Sequence, residues 1–366
     1  MSKSISLKQL RYSVAGFIFA SSLLTGNLYY FAKQDSWLCV LLGLAPSLVL
    51  VRIYSALAEK YPGQDLVQIS QAVFGKIPGK AVGALYLFYF LSLGYLNTRD
   101  LGDFVGETML PSTPAALVYI IFLFVCAWAI RKGPPNMTRY GFLLVAAAFA
   151  LILLNAVLLV NKFDFRRLLP ALTLPVPNYL LGVHVVTMLP YCEIFAFMMF
   201  APFLSKPEKI GRALRDGLFI GAGLLMFIVL RDIIVLGELA AVITQPTFAT
   251  IQMIDIGGIL TRLEVIYANI LMILFFLKVS VVFYASVSCV RSIFGTSAHQ
   301  PYIHIVGALI VIYAGASFPA VHEHVRWNRM AAATYSTFFL FVLPALTLIV
   351  AAARGGKRKP QTNQEV

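Results

Sequence analysis

Two residues place charge where the surrounding sequence offers no water to hold it. Glu193 closes the run Met188-Leu189-Pro190-Tyr191-Cys192-Glu193 inside a long apolar stretch, and Lys278 is the one charge in Ile273-Leu274-Phe275-Phe276-Leu277-Lys278-Val279-Ser280-Val281. A carboxylate in the middle of a bilayer costs a few kcal/mol or more unless it is partnered, so a functional site or an ion partner is the default reading. Pro190 removes one backbone hydrogen bond and pushes Leu189 away from helical geometry. Glu193 then stands just past a helix break. Carbonyls freed at such a break attract the cationic end of a ligand, and the start of a renewed half-helix stabilises a negative side chain. This makes Glu193 the candidate ligand-facing acid, with a structural pairing as the other reading. Two readings stay open for Lys278: snorkelling to the interface, or an internal fixed cation that neutralises Glu193 or carries a proton.

A third polar run, Ala20-Ser21-Ser22-Leu23-Leu24-Thr25-Gly26-Asn27, falls at the middle of the first apolar stretch. Small and hydroxylated residues are ordinary helix-packing residues in lipid. The sharper reading is a local unwinding that aims hydroxyls and backbone N–H groups at a ligand. Arg99 and Asp103 lie four apart near the end of the third stretch and can pair on one helix face, as a latch or as charge-balancing groups near a ligand. Arg231, Asp232 and Glu238 admit the same two readings. His322-Glu323-His324 has metal-like residue types but no third ligand nearby in sequence, and is read as a solvated loop.

The elements that hold these residues follow from composition. Of 366 residues, 60% are hydrophobic and 12% charged, against about 25% charged in soluble proteins, and the mean hydropathy is +0.82. A soluble fold of this size cannot bury that much apolar surface. The net charge of +13 is scattered between apolar runs and does not stripe one face, so it is a topology signal rather than a nucleic-acid surface. The four cysteines all sit in apolar runs and form no metal spacing. Phosphate loops, nucleotide-binding glycine fingerprints and hydrolase motifs are absent from the sequence, so no enzyme, cofactor or metal is expected.

Ten runs are long and apolar enough to span: roughly 11–32, 37–58, 79–99, 114–132, 138–161, 179–204, 217–238, 263–288, 302–320 and 333–353. The first is read as a true span and not a cleaved signal. Counting Lys and Arg at the termini and in alternate loops gives 18 on the side of both termini and 7 on the other, which predicts cytoplasmic termini. Residues 65–74 alternate at helical spacing but are too few to cross, and are predicted to lie along the membrane surface. The chain is read as one membrane domain, 1–366, with a first half of about 1–165 and a second of about 175–353. A basic cytoplasmic tail, 354–366, faces the lipid headgroups. Five spans per half place the second half upside down relative to the first, the parity of many secondary transporters.

In order and spacing, Ser6-x-x-Gln9, Leu23-Leu24-Thr25, Asp35-Ser36-Trp37, Tyr61-Pro62, Phe74-Gly75-Lys76-x-x-Gly79, Thr98-Arg99, Glu193 and Arg262-Leu263-Glu264 resemble the spore germination permeases. These are the membrane B subunits of nutrient germinant receptors, within the amino acid–polyamine–organocation superfamily. The resemblance implies an all-α, ten-helix, LeuT-like 5+5 inverted repeat with interrupted helices 1 and 6. It implies ligand contacts from Ser21, Ser22, Thr25 and Gly26 at the first break and from Pro190, Tyr191 and Glu193 at the second. It further implies an A-type membrane subunit and a C-type lipoprotein as partners in the spore inner membrane, with a small nutrient, typically an amino acid, as the trigger. This chain departs from the family where Ala20-Ser21-Ser22 replaces a frequent Gly–small–Gly triplet and Asn27 a frequent Pro. A germinant-sensing subunit is therefore the first expectation. The alternative is a working amino-acid or organic-cation transporter. A purely structural scaffold conflicts with Glu193 and Lys278 inside spans.

Overall fold

The computed structural model describes residues 4–254, 263–296 and 299–354. Lys3, Arg262 and residues 355–366 of the basic tail, which entered the charge count and the resemblance, lie outside the described residues. Among the described residues the chain is helical, apart from one isolated bridge between Ile5 and Leu204.

Each predicted run is helical. Span 1 is Leu7–Ala20, a tight turn Ser21–Leu24 and Thr25–Ala32; span 2 is Ser36–Leu42 with Leu44–Lys60. Span 3 is Lys76–Thr108, span 4 Ala115–Arg131 and span 5 Gly141–Leu158. Span 6 is Val176–Val186, Thr187–Tyr191 and Cys192–Phe203; span 7 is Ile210–Leu236 and span 8 Leu263–Phe294. Span 9 is Gln300–Ala316, and span 10 is Ala332–Thr337, Phe338–Val342 and Leu343–Ala353. Among the described residues, seven stretches are long and apolar enough to cross a membrane. One of them, Thr25–Lys60, turns at Lys33, whose φ is 46°, and so contributes to both spans 1 and 2. Ala115–Arg131 has 17 residues, about 26 Å of helix at 1.5 Å per residue.

One boundary and one loop differ from the sequence reading. Span 9 stops at Ala316, and the chain bends by 102° into a further helix, Val321–Met330. His322-Glu323-His324 is thus helical rather than a solvated loop, and His324 is buried. Its partners are the reason: ring nitrogens of His324 lie 2.9 Å from Asp103 and 3.5 Å from Asp100 on span 3.

The breaks are changes of winding, not gaps. Ser21–Leu24 tightens into a 3-10 turn. Around Pro190, which has no N–H to give, span 6 widens into a π turn over Thr187–Tyr191, and the Cys192 N–H returns to the Thr187 carbonyl. The helix then continues, more tightly wound, over Cys192–Phe203. Glu193 therefore does not begin a fresh half-helix with bare N–H groups.

Spans 6 and 8 form the centre: 78% of the apolar window of each is buried, against 39% in span 5. Span 7 closes on span 1 through Gly217 and Gly221, where a Cβ would stand 2.6 Å from the Arg11 carbonyl and 2.7 Å from Ile18. Gly79 does the same for the surface helix Leu66–Phe74, where a Cβ would fall 2.3 Å from the Gln71 backbone. Asp65 caps that helix and also accepts from Ser292 at 2.6 Å and pairs with Arg291 at 3.3 Å at the end of span 8. Burial raises the Asp65 carboxyl above the usual range, while Ser292, the Gln68 N–H and Arg291 act against that rise.

Candidate functional site

The π turn carries Glu193 into the bundle centre, where span 8 supplies Lys278. Lys278 Nζ lies 2.8 Å from Glu193 Oε2, with side-chain exposures of 0% and 3%. The ammonium donates to Ser21 Oγ at 2.7 Å and stands 5.2 Å from the centre of the Phe17 ring. Lys278 is therefore fixed inside the bundle and does not snorkel. With three N–H donors, Lys278 joins span 1 to span 6, one serving Ser21 and another facing Glu193 Oε2. An ion pair in this setting is costly to break by halves, because the remaining group must stay charged and unpaired or change its protonation state.

On its other side Glu193 borders a cavity of about 20 Å³, room for about one water. Its polar wall is Asn97 and Asp100 from span 3, Asn328 from the helix after the bend, and Ser336 from span 10. A second cavity of about 30 Å³ shares Asp100 and Asn328 and continues to Asp103, Gln245 and Arg329. The two shared residues are joined by a hydrogen bond, Asn328 Nδ2 donating to Asp100 Oδ1 at 3.0 Å. Arg99 braces the same end, pairing with Asp103 at 2.8 Å and donating to the carbonyls of Ala314 and Phe318 at 3.1 and 3.2 Å.

The predicted residues divide into separate places. Ser21, Glu193 and Lys278 meet. Ser22 lies 3.5 Å from the Tyr267 hydroxyl, and Thr25 lies 3.5 Å from Thr247 while donating to the Ser22 carbonyl at 3.0 Å. Thr247 leads on to Asp232 at 2.6 Å, which also receives Tyr29 and Arg231. Gly26 abuts the Thr244 carbonyl, 3.0 Å from where a Cβ would stand. The Tyr191 hydroxyl donates to the Val40 carbonyl at 2.9 Å, away from the cavity. Pro190 shapes the turn, and Arg99 belongs to the bracing group.

Sequence reasoning placed none of Phe17, Asn97, Asp100, Asn328 and Ser336 at the site and read His324 as part of a solvated loop. A usable signal existed: Asn97 and Asp100 are three apart on one face of span 3, as His324 and Asn328 are four apart on theirs. Their convergence required the bend after Ala316. Among the described residues no His, Cys, Asp or Glu cluster could hold a metal ion.

A family model described as spore germination protein matches residues 4–318. The chain is 27% identical over 368 residues to spore germination protein KB of Bacillus subtilis, covering 99% of this chain and 98% of that one. It is 24% identical to spore germination protein YndE of the same organism, covering 88% of each. A solved nucleobase-cation-symport-1 family transporter, closed with bromovinylhydantoin bound, superposes with a TM-score of 0.66 at 12% identity, over 95% of this chain and 78% of that one. An Eremococcus coleocola manganese transporter superposes with a TM-score of 0.55 at 10% identity, over 94% and 84%. At such identities the likeness speaks for the fold alone: an all-α membrane protein with a LeuT-like 5+5 inverted repeat and interrupted helices 1 and 6.

Proposed function

The chain belongs to the spore germination protein family, and from that premise we propose that it is the germinant-sensing membrane subunit of a spore nutrient receptor. It binds a small nutrient, an amino acid by preference, at Glu193. The observation that carries this reading is the buried Glu193–Lys278 pair beside a cavity at the altered turn of span 6. An amino acid matches such a pair charge for charge: its ammonium meets Glu193 and its carboxylate meets Lys278 and Ser21. No net charge is then buried, which keeps the desolvation penalty in check.

The cavity is too small for an amino acid, so binding requires the bundle to open, and a ligand that favours the opened arrangement shifts the population towards it. That shift is the signal. It passes to an A-type membrane subunit and a C-type lipoprotein in the spore inner membrane. The charge bias supports cytoplasmic termini, with the Asp100–Asn328 end facing outward, and a single membrane domain whose halves meet near residues 165–175.

Glu193→Gln keeps the shape and removes the charge. Germination should then need a nutrient concentration at least tenfold higher, about 1.4 kcal/mol, scored per assembled receptor because Lys278 loses its buried partner. A variant that assembles and responds at the parental concentration removes Glu193 from ligand binding. Deleting the gene separates sensing from transport: loss of nutrient-triggered germination supports the receptor. Normal germination on every nutrient mixture with impaired uptake would make the protein an amino-acid or organic-cation transporter.

A further inference from the structure

Glu193 has two sides, and they are not equivalent. On the span 1 side the space is filled: Lys278 bonds Ser21 and lies over Phe17. On the span 3 side lies the small cavity, lined by Glu193 and by Asn97, whose buried Oδ1 has no donor. Asn97 uses its amide N–H on the Leu93 carbonyl at 2.8 Å, which orients the side chain and leaves Oδ1 free. Asp100, one helical turn further, stands at the boundary with the second cavity. An acceptor left dry and unpaired is unfavourable, and a small donor-rich cation can satisfy it while facing the Glu193 carboxylate.

We propose that the cavity between spans 3, 6 and 10 is a binding site for a primary ammonium group, held by Glu193 and Asn97 and reached by parting Asp100 from Asn328. This deepens the proposed function, on which it rests, by moving the cationic end of the ligand away from the span 1 break. The charge balance favours the assignment. Lys278 already neutralises Glu193, so an arriving ammonium needs a second carboxylate nearby, and Asp100 provides it. The two cavities share Asp100 and Asn328, so the hydrogen bond between them is the barrier on the route from the Arg329 end to Glu193.

Occupancy is tested on the full chain in native membranes. Ser336→Cys puts a thiol in the cavity wall, and its labelling by a cationic thiosulfonate reagent is followed above the parental background. Methylammonium chloride should slow labelling at least threefold, and tetramethylammonium chloride, which has no N–H donor, should not. Asn97→Leu in that background should abolish the protection, and Ser21→Ala should preserve it. Equal effects of the two ammonium salts would overturn the site. So would protection that survives Asn97→Leu but is lost with Ser21→Ala, because the cation would then sit on the span 1 side. Asn97→Asp, which keeps an acceptor, should retain protection and guards against a folding defect in the leucine variant; loss of protection in a well-assembled Asn97→Asp protein also overturns the site. These outcomes are independent of the germination response of Glu193→Gln, so this site can fail while the receptor reading stands.

Discussion

Two of the buried acid–base pairs among the described residues are built for different ends. Asp232 and Arg231 are neighbours in span 7, with side-chain exposures of 0% and 1%. Asp232 is saturated: Arg231 donates twice to Oδ1, at 2.6 and 3.1 Å, while Thr247 and Tyr29 donate to Oδ2 at 2.6 and 3.3 Å. Those donors come from span 1 and from the helix Pro246–Gln252, so the carboxylate ties three elements together. Glu193 is almost as buried, yet it pairs with a single cation, Lys278, and borders a cavity. An acid whose oxygens are all engaged acts as a brace. An acid with spare capacity beside a void is poised to change partners.

The largest test of that contrast is Asp232→Ala. It leaves the Arg231 guanidinium buried and unpaired, so the loss should be about 3–5 kcal/mol, seen as a collapse of the fraction that stays folded on heating in detergent. A variant as heat-resistant as the parent would remove the brace.

Lys278→Met should cost less, about 2 kcal/mol, because methionine refills the volume and Glu193 can take up a proton. Combining it with Glu193→Gln should recover most of the loss, since exchanging a whole buried pair for uncharged groups is near neutral. The double-mutant cycle over these two positions measures their coupling directly. Additive losses would mean that the contact seen between spans 6 and 8 carries no energy.

Tyr29→Phe is the smallest change. It removes one of four donors to Asp232 and should lower stability by about 1 kcal/mol, with the nutrient response unmoved. A shifted response without a stability change would make the Asp232 cluster part of the ligand site and erase the distinction.

Much of this was legible in the residue order. Apolar runs of membrane length do not depend on tertiary context, because an unsatisfied backbone in lipid forces each into a helix. Hence all ten predicted runs are helical. Pro190 announced a disturbance in span 6 because a missing N–H is a local fact. Glu193 and Lys278 stood out because charge in an apolar run is costly wherever the neighbours lie. Tertiary structure alone decided which polar groups meet. Ser21 and Ser22 are adjacent, yet one serves Lys278 and the other faces Tyr267, because neighbouring residues on a helix point about 100° apart. His324, read as part of a solvated loop, is laid with Asn328 against span 3 by the bend after Ala316. A period of 3.6 residues tells which side chains share a face, but only the packed bundle determines what that face meets.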